Sequence, residues 1–171
     1  MIPKKVEKEF NNQINEELYS AYLYLAMSAD FASKSLSGFA QWMYIQSLEE
    51  MIHAQKFFNH IIERGGEVEL QRIEKPQKTW TSPLVAFQEA YKHEQHITGR
   101  INGLVDLAVK EKDHASNSML QWFVDEQVEE EATADDIVQK LKLIAKAPEA
   151  LYMLDKEMGT RVFTPPVAGG E

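Results

Sequence analysis

The stretch Gln46–Phe58 reads Q-S-L-E-E-M-I-H-A-Q-K-F-F and lies in the middle of a predicted amphipathic helix. Side chains spaced three and four residues apart share one face of that helix: they are Phe39, Met43, Gln46, Glu50, His53, Phe57 and Ile61. The face should be buried, yet it holds the Glu50 carboxylate and the His53 imidazole. Burying an unpaired carboxylate costs roughly several kcal/mol, so a compensating group is required. Because Glu-x-x-His presents two metal ligands one helical turn apart, a bound metal ion is the first hypothesis.

The composition restricts the possible functions. A length of 171 residues is typical of one domain, 1–171, with a good core. The lack of cysteine excludes disulfides, thiolate metal sites and thiol nucleophiles, and it favours a reducing, cytoplasmic location. The charged amino-terminal residues and the absence of a long apolar run predict neither a secretion signal nor a membrane span. With 27 acidic and 18 basic residues, the net charge of −9 disfavours nucleic acid as a partner.

The first half of the chain predicts a helical hairpin. Helical periodicity runs from Lys4 to about Lys34, with Glu17 inside the apolar stripe. Residues 35–38 form a turn, and the helix that carries Glu50 follows until the glycine pair at 65–66 ends it. So short a turn makes the two helices antiparallel neighbours.

Residues 65–83 predict a long crossover, because Pro76 and Pro83 exclude a continuing helix. About 17 extended residues reach roughly 55 Å at most, whereas a helix of about 27 residues is only ~40 Å long. The segment can therefore run the whole length of a bundle and bring the third helix in parallel to the second.

The second half of the chain predicts another helical hairpin. Its first helix starts after Ser82-Pro83, a capping residue followed by proline at the first turn, and contains Glu94 in its stripe. A turn at 112–115 leads to a helix that carries Gln127 and Glu130 on its apolar face. This hairpin therefore also places polar groups inside the core.

The carboxyl-terminal region is predicted to be short and partly irregular. Pro148 ends or interrupts the fourth helix, residues 149–158 suit a short fifth helix, and a loose tail is expected over about 164–171. The predicted fold class is therefore all-α: a four-helix bundle with one long crossover between helices 2 and 3 and a short fifth helix.

The two hairpins repeat the same spacing of polar core residues. The first hairpin contains Glu17, Glu50 and His53, and the second contains Glu94, Gln127 and Glu130. In both hairpins the second residue lies 33 positions after the first, and the third lies three positions after the second. Residues equidistant from the turn lie at one height in antiparallel helices, so all six are expected to form one polar layer. For any single glutamate, exposure to solvent is an alternative, but a matched repeat on four helices favours a metal site. Four negative charges would balance two divalent cations, and carboxylates with an imidazole suit iron, manganese or zinc better than calcium.

The residues around this repeat resemble the ferritin family, and most closely its non-haem bacterial and archaeal members. The resemblance covers nearly the whole chain through N-Q-I-N-E-E-L-Y-S-A-Y-L-Y, L-E-E-M-I-H-A, Y-K-H-E and W-F-V-D-E-Q-V-E-E-E. It implies a ferritin-like bundle with a diiron ferroxidase centre and a further iron site on its inward side. In that centre Glu50 would bridge the two irons, and Tyr24 and Trp122 match aromatic residues near it.

The implied ligands are assigned by position. The first iron is assigned to Glu17, Glu50 and His53; the second to Glu94 and Glu130, with Gln127 nearby; and the third to Glu49, Glu126, Glu129 and Glu130.

One departure narrows the choice within this group of proteins. Haem-containing bacterioferritins carry Glu-x-x-His twice, whereas the second copy here is Gln127-x-x-Glu130, so no haem is expected. Met51 stands where those proteins place their haem ligand, and we interpret it as a packing residue. Rubrerythrins usually add a cysteine-rich iron domain, which a chain without cysteine cannot form. Mini-ferritins lack a fifth helix, so they also fit this chain poorly.

By this resemblance the chain is expected to oxidise Fe(II) with O₂ or H₂O₂ and to store ferric oxyhydroxide inside a hollow homo-oligomeric shell of roughly 24 subunits. Two alternatives stay open at this point. One is another diiron or dimanganese oxidoreductase on the same bundle, including a peroxide-detoxifying enzyme. The other is a non-catalytic shell subunit that buffers metal.

Overall fold

Five helices make up the structure, a computed structural model that describes residues 1–144 and 147–164. They are α1 (Lys4–Ser33), α2 (Ser37–Glu63), α3 (Pro83–Lys110), α4 (His114–Ile144) and α5 (Pro148–Met158). The predicted all-α fold with a short fifth helix is confirmed, and the described ranges contain no β-strand. From residue 165 onward, the tail predicted to be loose lies outside the described residues. None of the helices in these ranges combines the length and hydrophobicity that crossing a bilayer requires.

The two hairpin turns have the same geometry. Ser35 and Lys112 adopt left-handed backbone conformations with φ of 60° and 56°. The residue that follows each of them donates its N–H to the carbonyl five positions earlier. Leu36 donates to Phe31 at 3.0 Å, and Asp113 donates to Ala108 at 2.9 Å. This is the Schellman pattern, which satisfies carbonyls at a helix end and reverses the chain. The repeat seen in the spacing of polar residues therefore extends to the turns.

The crossover between α2 and α3 runs along α1. At its start, Asn11 donates to the Glu67 carbonyl at 3.0 Å and accepts from the Glu69 N–H at 2.7 Å. At its end, the Trp80 N–H donates to Asp30 at 3.1 Å. Because Asn11 and Asp30 lie near opposite ends of α1, the segment spans the bundle. The predicted crossover is confirmed, and α3 therefore starts near the start of α2.

Helix α5 packs against the amino-terminal end of α2. Asp155 Oδ1 accepts hydrogen bonds from the N–H groups of Gly38 and Phe39 at 2.9 and 3.0 Å. These are free donors of the first turn of α2, so a carboxylate there is favourable. Leu154 and Met158 add buried apolar contacts. A Cβ at Gly38 would lie 1.6 Å from the Asp155 carbonyl oxygen, so this approach requires glycine.

The core consists of two apolar clusters. One includes Met27, Phe31, Phe39, Met43, Phe87 and Leu141, and the other includes Phe10, Ile14, Phe57, Ile61, Ile101 and Leu120. Each of the four long helices contributes apolar residues to both clusters. Its polar core residues lie between these two apolar stretches. The polar layer therefore lies between two apolar regions and is closed off from solvent at both ends.

Candidate metal centre

The structure buries all six residues of the predicted layer. Glu17 is 0% exposed, Glu50 2% and Glu130 7%. His53, Glu94 and Gln127 are each 3% exposed. The alternative in which these acids face solvent is therefore wrong, and the hairpin spacing brings the side chains to a common level as predicted.

Glu17, Glu50 and His53 form a compact ligand set. One ligand atom from each lies within 4.8 Å of the others, and Glu50 Oε2 is 3.2 Å from His53 Nδ1. Gln13 Nε2 donates to Glu17 Oε1 at 2.9 Å. Glu17 Oε2 is buried and has no hydrogen-bond partner among the described residues. A buried carboxylate oxygen without a donor is costly, and a cation at this position would satisfy it.

Gln46 joins the two hairpins at this level. Its Nε2 donates to Glu50 Oε1 at 3.1 Å and to Glu130 Oε2 at 2.8 Å. The two carboxylates are thus held close together by one amide. Glu50 therefore lies between His53, which contacts its Oε2, and Glu130, which shares the Gln46 amide with its Oε1. The resemblance assigns Glu50 a bridging role at this position.

Glu94 is held by other donors. Tyr24 Oη donates to Glu94 Oε1, and Gln127 Nε2 donates to Glu94 Oε2 at 3.3 Å and to the Glu94 carbonyl at 3.2 Å. Glu94 belongs to neither of the compact ligand sets found among the described residues. A cation bound by Glu94 and Glu130 therefore has to compete with the Tyr24 and Gln127 hydrogen bonds.

The residues assigned to a third iron are only partly together. The second compact set is His53, Glu126 and Glu130, with ligand atoms within 4.8 Å of one another. Glu49 is half-buried and forms an ion pair with Arg161, and Glu129 is exposed. Consecutive residues on a helix point in different directions, so Glu129 points outward when Glu130 points inward.

The electrostatics of the layer favour a bound cation. Burial, and then repulsion from neighbouring carboxylates, raise the pKa of Glu17, Glu94 and Glu130 from 4.5 to about 8. Burial also raises the pKa of Glu50 well above its usual range. Without a cation these groups therefore hold protons at neutral pH, and a divalent ion would displace those protons.

Two aromatic residues named by the resemblance lie beside this layer. The Tyr24 ring is 1% exposed and packs edge-on against His93 at a centroid distance of 6.1 Å. The Trp122 ring packs edge-on against His53 at 5.4 Å, beneath the Lys56 ammonium. Tyr24 therefore lies beside Glu94, to which it donates, and Trp122 lies beside His53.

Met51 is not a core residue. It is 49% exposed and lines an open apolar groove of about 410 Å³ together with Leu18, Phe58 and Leu70. The interpretation of Met51 as packing does not hold within the described part of one chain, because nearly half of its surface is exposed there.

Sequence reasoning did not assign Gln13, Gln46 or Arg161 to the site. A signal for the two glutamines exists, because each stands four residues before a layer glutamate, Gln13 before Glu17 and Gln46 before Glu50. That spacing aligns the side chains on one helix face. Arg161 carries no such signal, since its partners are more than a hundred positions away.

Nearly the whole chain is similar to known proteins. The family described as Ferritin-like domain matches residues 7–144. The bacterial non-heme ferritin of Bacteroides fragilis is 42% identical over 161 residues, covering 94% of this chain and 100% of the relative. That of Staphylococcus aureus is 38% identical over 163 residues, covering 95% and 98%.

Solved structures agree with these relatives. The open pore ferritin from the hyperthermophilic archaeon Archaeoglobus fulgidus superposes with a TM-score of 0.94 at 51% identity, covering 95% of this chain and all of that one. A closed form of the same ferritin, engineered by site-directed mutagenesis, gives a TM-score of 0.94 at 51% identity, with 96% and 100% covered. Sequence and structure thus lead to the same group of proteins.

Proposed function

The chain belongs to the ferritin family, and from this premise we propose that its iron storage proceeds through oxidation of Fe(II) at the buried carboxylate layer. Two Fe²⁺ ions are the substrate. The first is held by Glu17, Glu50 and His53, and the second by Glu94 and Glu130, with Glu50 between the two ions. Each Fe²⁺ loses one electron, and O₂ accepts both with two protons to give H₂O₂; when H₂O₂ is the oxidant, it accepts two electrons and two protons to give water.

Hard oxygen ligands drive this oxidation. Carboxylates stabilise Fe³⁺ more than Fe²⁺, so the reduction potential of the bound iron falls and electron loss becomes favourable. The protein positions the two ions and adjusts their surroundings, while the redox chemistry belongs to iron. Protons displaced from the layer as Fe²⁺ binds are available to the reduced oxidant.

One observation carries the proposal: the Glu17, Glu50 and His53 ligand atoms lie within 4.8 Å of one another in the core, and Glu17 Oε2 has no donor in the part of the chain that the structure describes. A structural ion-pair network would supply a donor for that oxygen. Without a cation, a proton on a neighbouring carboxyl has to satisfy that oxygen, whereas a bound cation satisfies it while the carboxyls are ionised.

The same proposal includes the assembly and its location. Ferric product would collect as a mineral inside a hollow shell of copies of this chain in the cytoplasm, with a third ion near Glu126 and Glu130 on the path inward. The likeness to open-pore and closed ferritins supports a hollow assembly. The open groove around Met51 is a suitable contact for a second copy, since apolar surface of this kind is usually covered in assemblies.

The test is oxidation of Fe²⁺ by the purified apoprotein in air. We expect ferric absorbance to develop in a fast phase that consumes two Fe²⁺ per subunit. Glu50→Ala and Glu130→Ala should each slow that phase strongly, because Glu50 lies between the two ions and Glu130 holds the second. Asp125→Asn, which removes an exposed acid from α4, should leave the rate unchanged.

The outcomes separate the alternatives. Equal rates in the wild type, Glu50→Ala and Glu130→Ala would place oxidation elsewhere and contradict the site. Tight binding of two ions without oxidation would indicate a metal-buffering subunit. A discrete small oligomer on size-exclusion chromatography, rather than a shell, would favour a different diiron enzyme.

A further inference from the structure

Arg161, in the segment after α5, extends to the edge of the polar layer. Its Nη1 donates to Gln46 Oε1 at 2.8 Å and to the Trp42 carbonyl at 3.5 Å, and its Nη2 forms an ion pair with Glu49. The guanidinium also lies over the Trp42 ring, 4.4 Å from Cζ to the centroid. The planar group thus bonds along its edge and stacks through its face, a combination that lysine does not reproduce.

These contacts place a positive charge beside the second ligand set. Arg161 pairs with Glu49 and also bonds to Gln46, whose amide donates to Glu130 of that set. Glu126 belongs with His53 and Glu130 to the second compact set, and since His53 is assigned to the first ion, Glu126 and Glu130 are left for a third. Glu49 is therefore adjacent to that set, but its carboxylate is directed to Arg161.

We propose that Arg161 is a built-in cation that competes with a third metal ion for Glu49. A third divalent ion then binds with its full ligand set only when the guanidinium moves away from Glu49. The reason is electrostatic: both cations use the same carboxylate, and two positive charges at this separation repel each other. This inference rests on the proposed function, because it takes the first two ions to be held by the layer.

Arg161 has a second effect on the layer. By donating to Gln46 Oε1, it fixes which end of the amide faces outward. Gln46 Nε2 is thereby directed to Glu50 and Glu130. Arg161 acts here through Gln46 and is a positioning residue. Loss of its side chain therefore alters binding of the third ion, while the first two metal ions still bind.

The experiment is calorimetric titration of the assembled apoprotein with Zn²⁺, which binds similar ligands and is not oxidised. In the wild type we expect two tight ions per subunit and a weaker third. Arg161→Ala should tighten the third by about tenfold, within the ordinary range of coupling between two bound groups. The double variant Glu49→Gln Arg161→Ala should lose that gain, since the gain depends on the Glu49 charge.

The matched control is Lys140→Ala. Lys140 is a cation that joins α4 to α5 through Asp136 and Glu157, both at 3.0 Å, and it does not contact Glu49. Its removal should leave all three affinities as in the wild type. An unchanged or weaker third ion in Arg161→Ala, or a gain that survives loss of Glu49, overturns the inference. A wild type that fails to bind the first two ions contradicts the proposed function itself, which is a different result.

A second measurement needs no variant and applies even if Arg161→Ala does not assemble. Hydrogen exchange of the wild type is followed as Zn²⁺ is added. The first two equivalents should leave residues 159–164 unchanged, and the third should accelerate their exchange because Arg161 leaves Glu49. Unchanged exchange at the third equivalent overturns the inference.

Discussion

Gln13 donates a hydrogen bond from Nε2 to Glu17 Oε1 at 2.9 Å, four residues along the same helix. Its own amide oxygen accepts from Arg100 Nε at 2.9 Å, so the direction of the amide is fixed. Glu17 is therefore held through one oxygen and leaves the other for a ligand. Gln46 holds Glu50 in the same way on α2, with Arg161 as the outer donor.

Gln13→Leu tests this arrangement. Loss of the donor frees the Glu17 carboxylate to rotate, and loss of an outer partner typically costs about ten- to a hundredfold in metal affinity or activity. We expect the first Zn²⁺ affinity and the Fe²⁺ oxidation rate to fall by about tenfold or more. Asn12→Ala is the control, since Asn12 bonds to Glu9 and Gln71 outside the layer. Equal affinities in Gln13→Leu and the wild type would show that Glu17 needs no support.

Tyr24→Phe tests the tyrosine that donates to Glu94. Burial raises the pKa of Tyr24 well above its usual range, so the phenol keeps its proton and remains a donor. If Tyr24 supplies a further electron during oxidation, rapid-freeze electron paramagnetic resonance of the wild type shows a tyrosyl radical. Tyr24→Phe should remove that signal and slow oxidation, whereas Tyr22→Phe, at an exposed tyrosine of α1, should keep both. A radical that persists in Tyr24→Phe assigns it to another residue.

The raised carboxylate pKa values predict how stability depends on pH. Glu17, Glu94 and Glu130 have a pKa of about 8 in the fold and 4.5 when unfolded. Between these values the folded chain binds more protons, so the free energy of unfolding of the apoprotein falls as pH rises from about 4.5 to about 8. Bound cations replace the protons, so stabilisation by Zn²⁺ should grow over the same window.

Thermal unfolding with and without Zn²⁺ at pH 5.5 and pH 8 measures how apoprotein stability and the stabilisation by Zn²⁺ depend on pH. We expect the Zn²⁺-induced rise in Tm to be larger at pH 8 by at least about 3 °C, the scale of a 1 kcal/mol change for a chain of this size. The variant Glu17→Gln Glu94→Gln removes two of the titrating groups and should flatten the pH dependence of the apoprotein. An apoprotein that becomes more stable toward pH 8 would contradict the protonated layer.

Gly38→Ala tests the contact between α2 and α5. The added Cβ would meet the Asp155 carbonyl oxygen at 1.6 Å, so α5 has to shift. Overpacking of this kind costs about 1–3 kcal/mol, and hydrogen exchange over residues 148–158 should accelerate by about tenfold. Gly103→Ala is the control, because its Cβ would have no atom within 4 Å among those described. If the two variants exchange alike, α5 is not held by this contact.

The fold and the level of the polar layer followed from the sequence for a physical reason. Helical periodicity fixes which residues face inward, and the short turns at 35 and 112 fix which residues of paired helices meet. The long crossover followed from Pro76, Pro83 and the reach of an extended chain. These are local rules that act over one helix or one turn.

The remaining features depend on contacts that no local rule specifies. Glu94 is held by Tyr24, 70 residues away in the chain, and Glu49 by Arg161, 112 residues away. The resemblance also placed Glu129 near a third ion, yet the helix geometry that turns Glu130 inward turns Glu129 to solvent. Packing of distant side chains, and not periodicity, decides these orientations.

Anomalous diffraction at the iron edge, from crystals soaked with Fe²⁺ without oxygen, tests the central claim most directly. The account predicts two peaks inside each four-helix bundle, one bounded by Glu17, Glu50 and His53 and one by Glu50, Glu94 and Glu130. Peaks only at exposed acids such as Glu129, with none between the two apolar clusters, would contradict it.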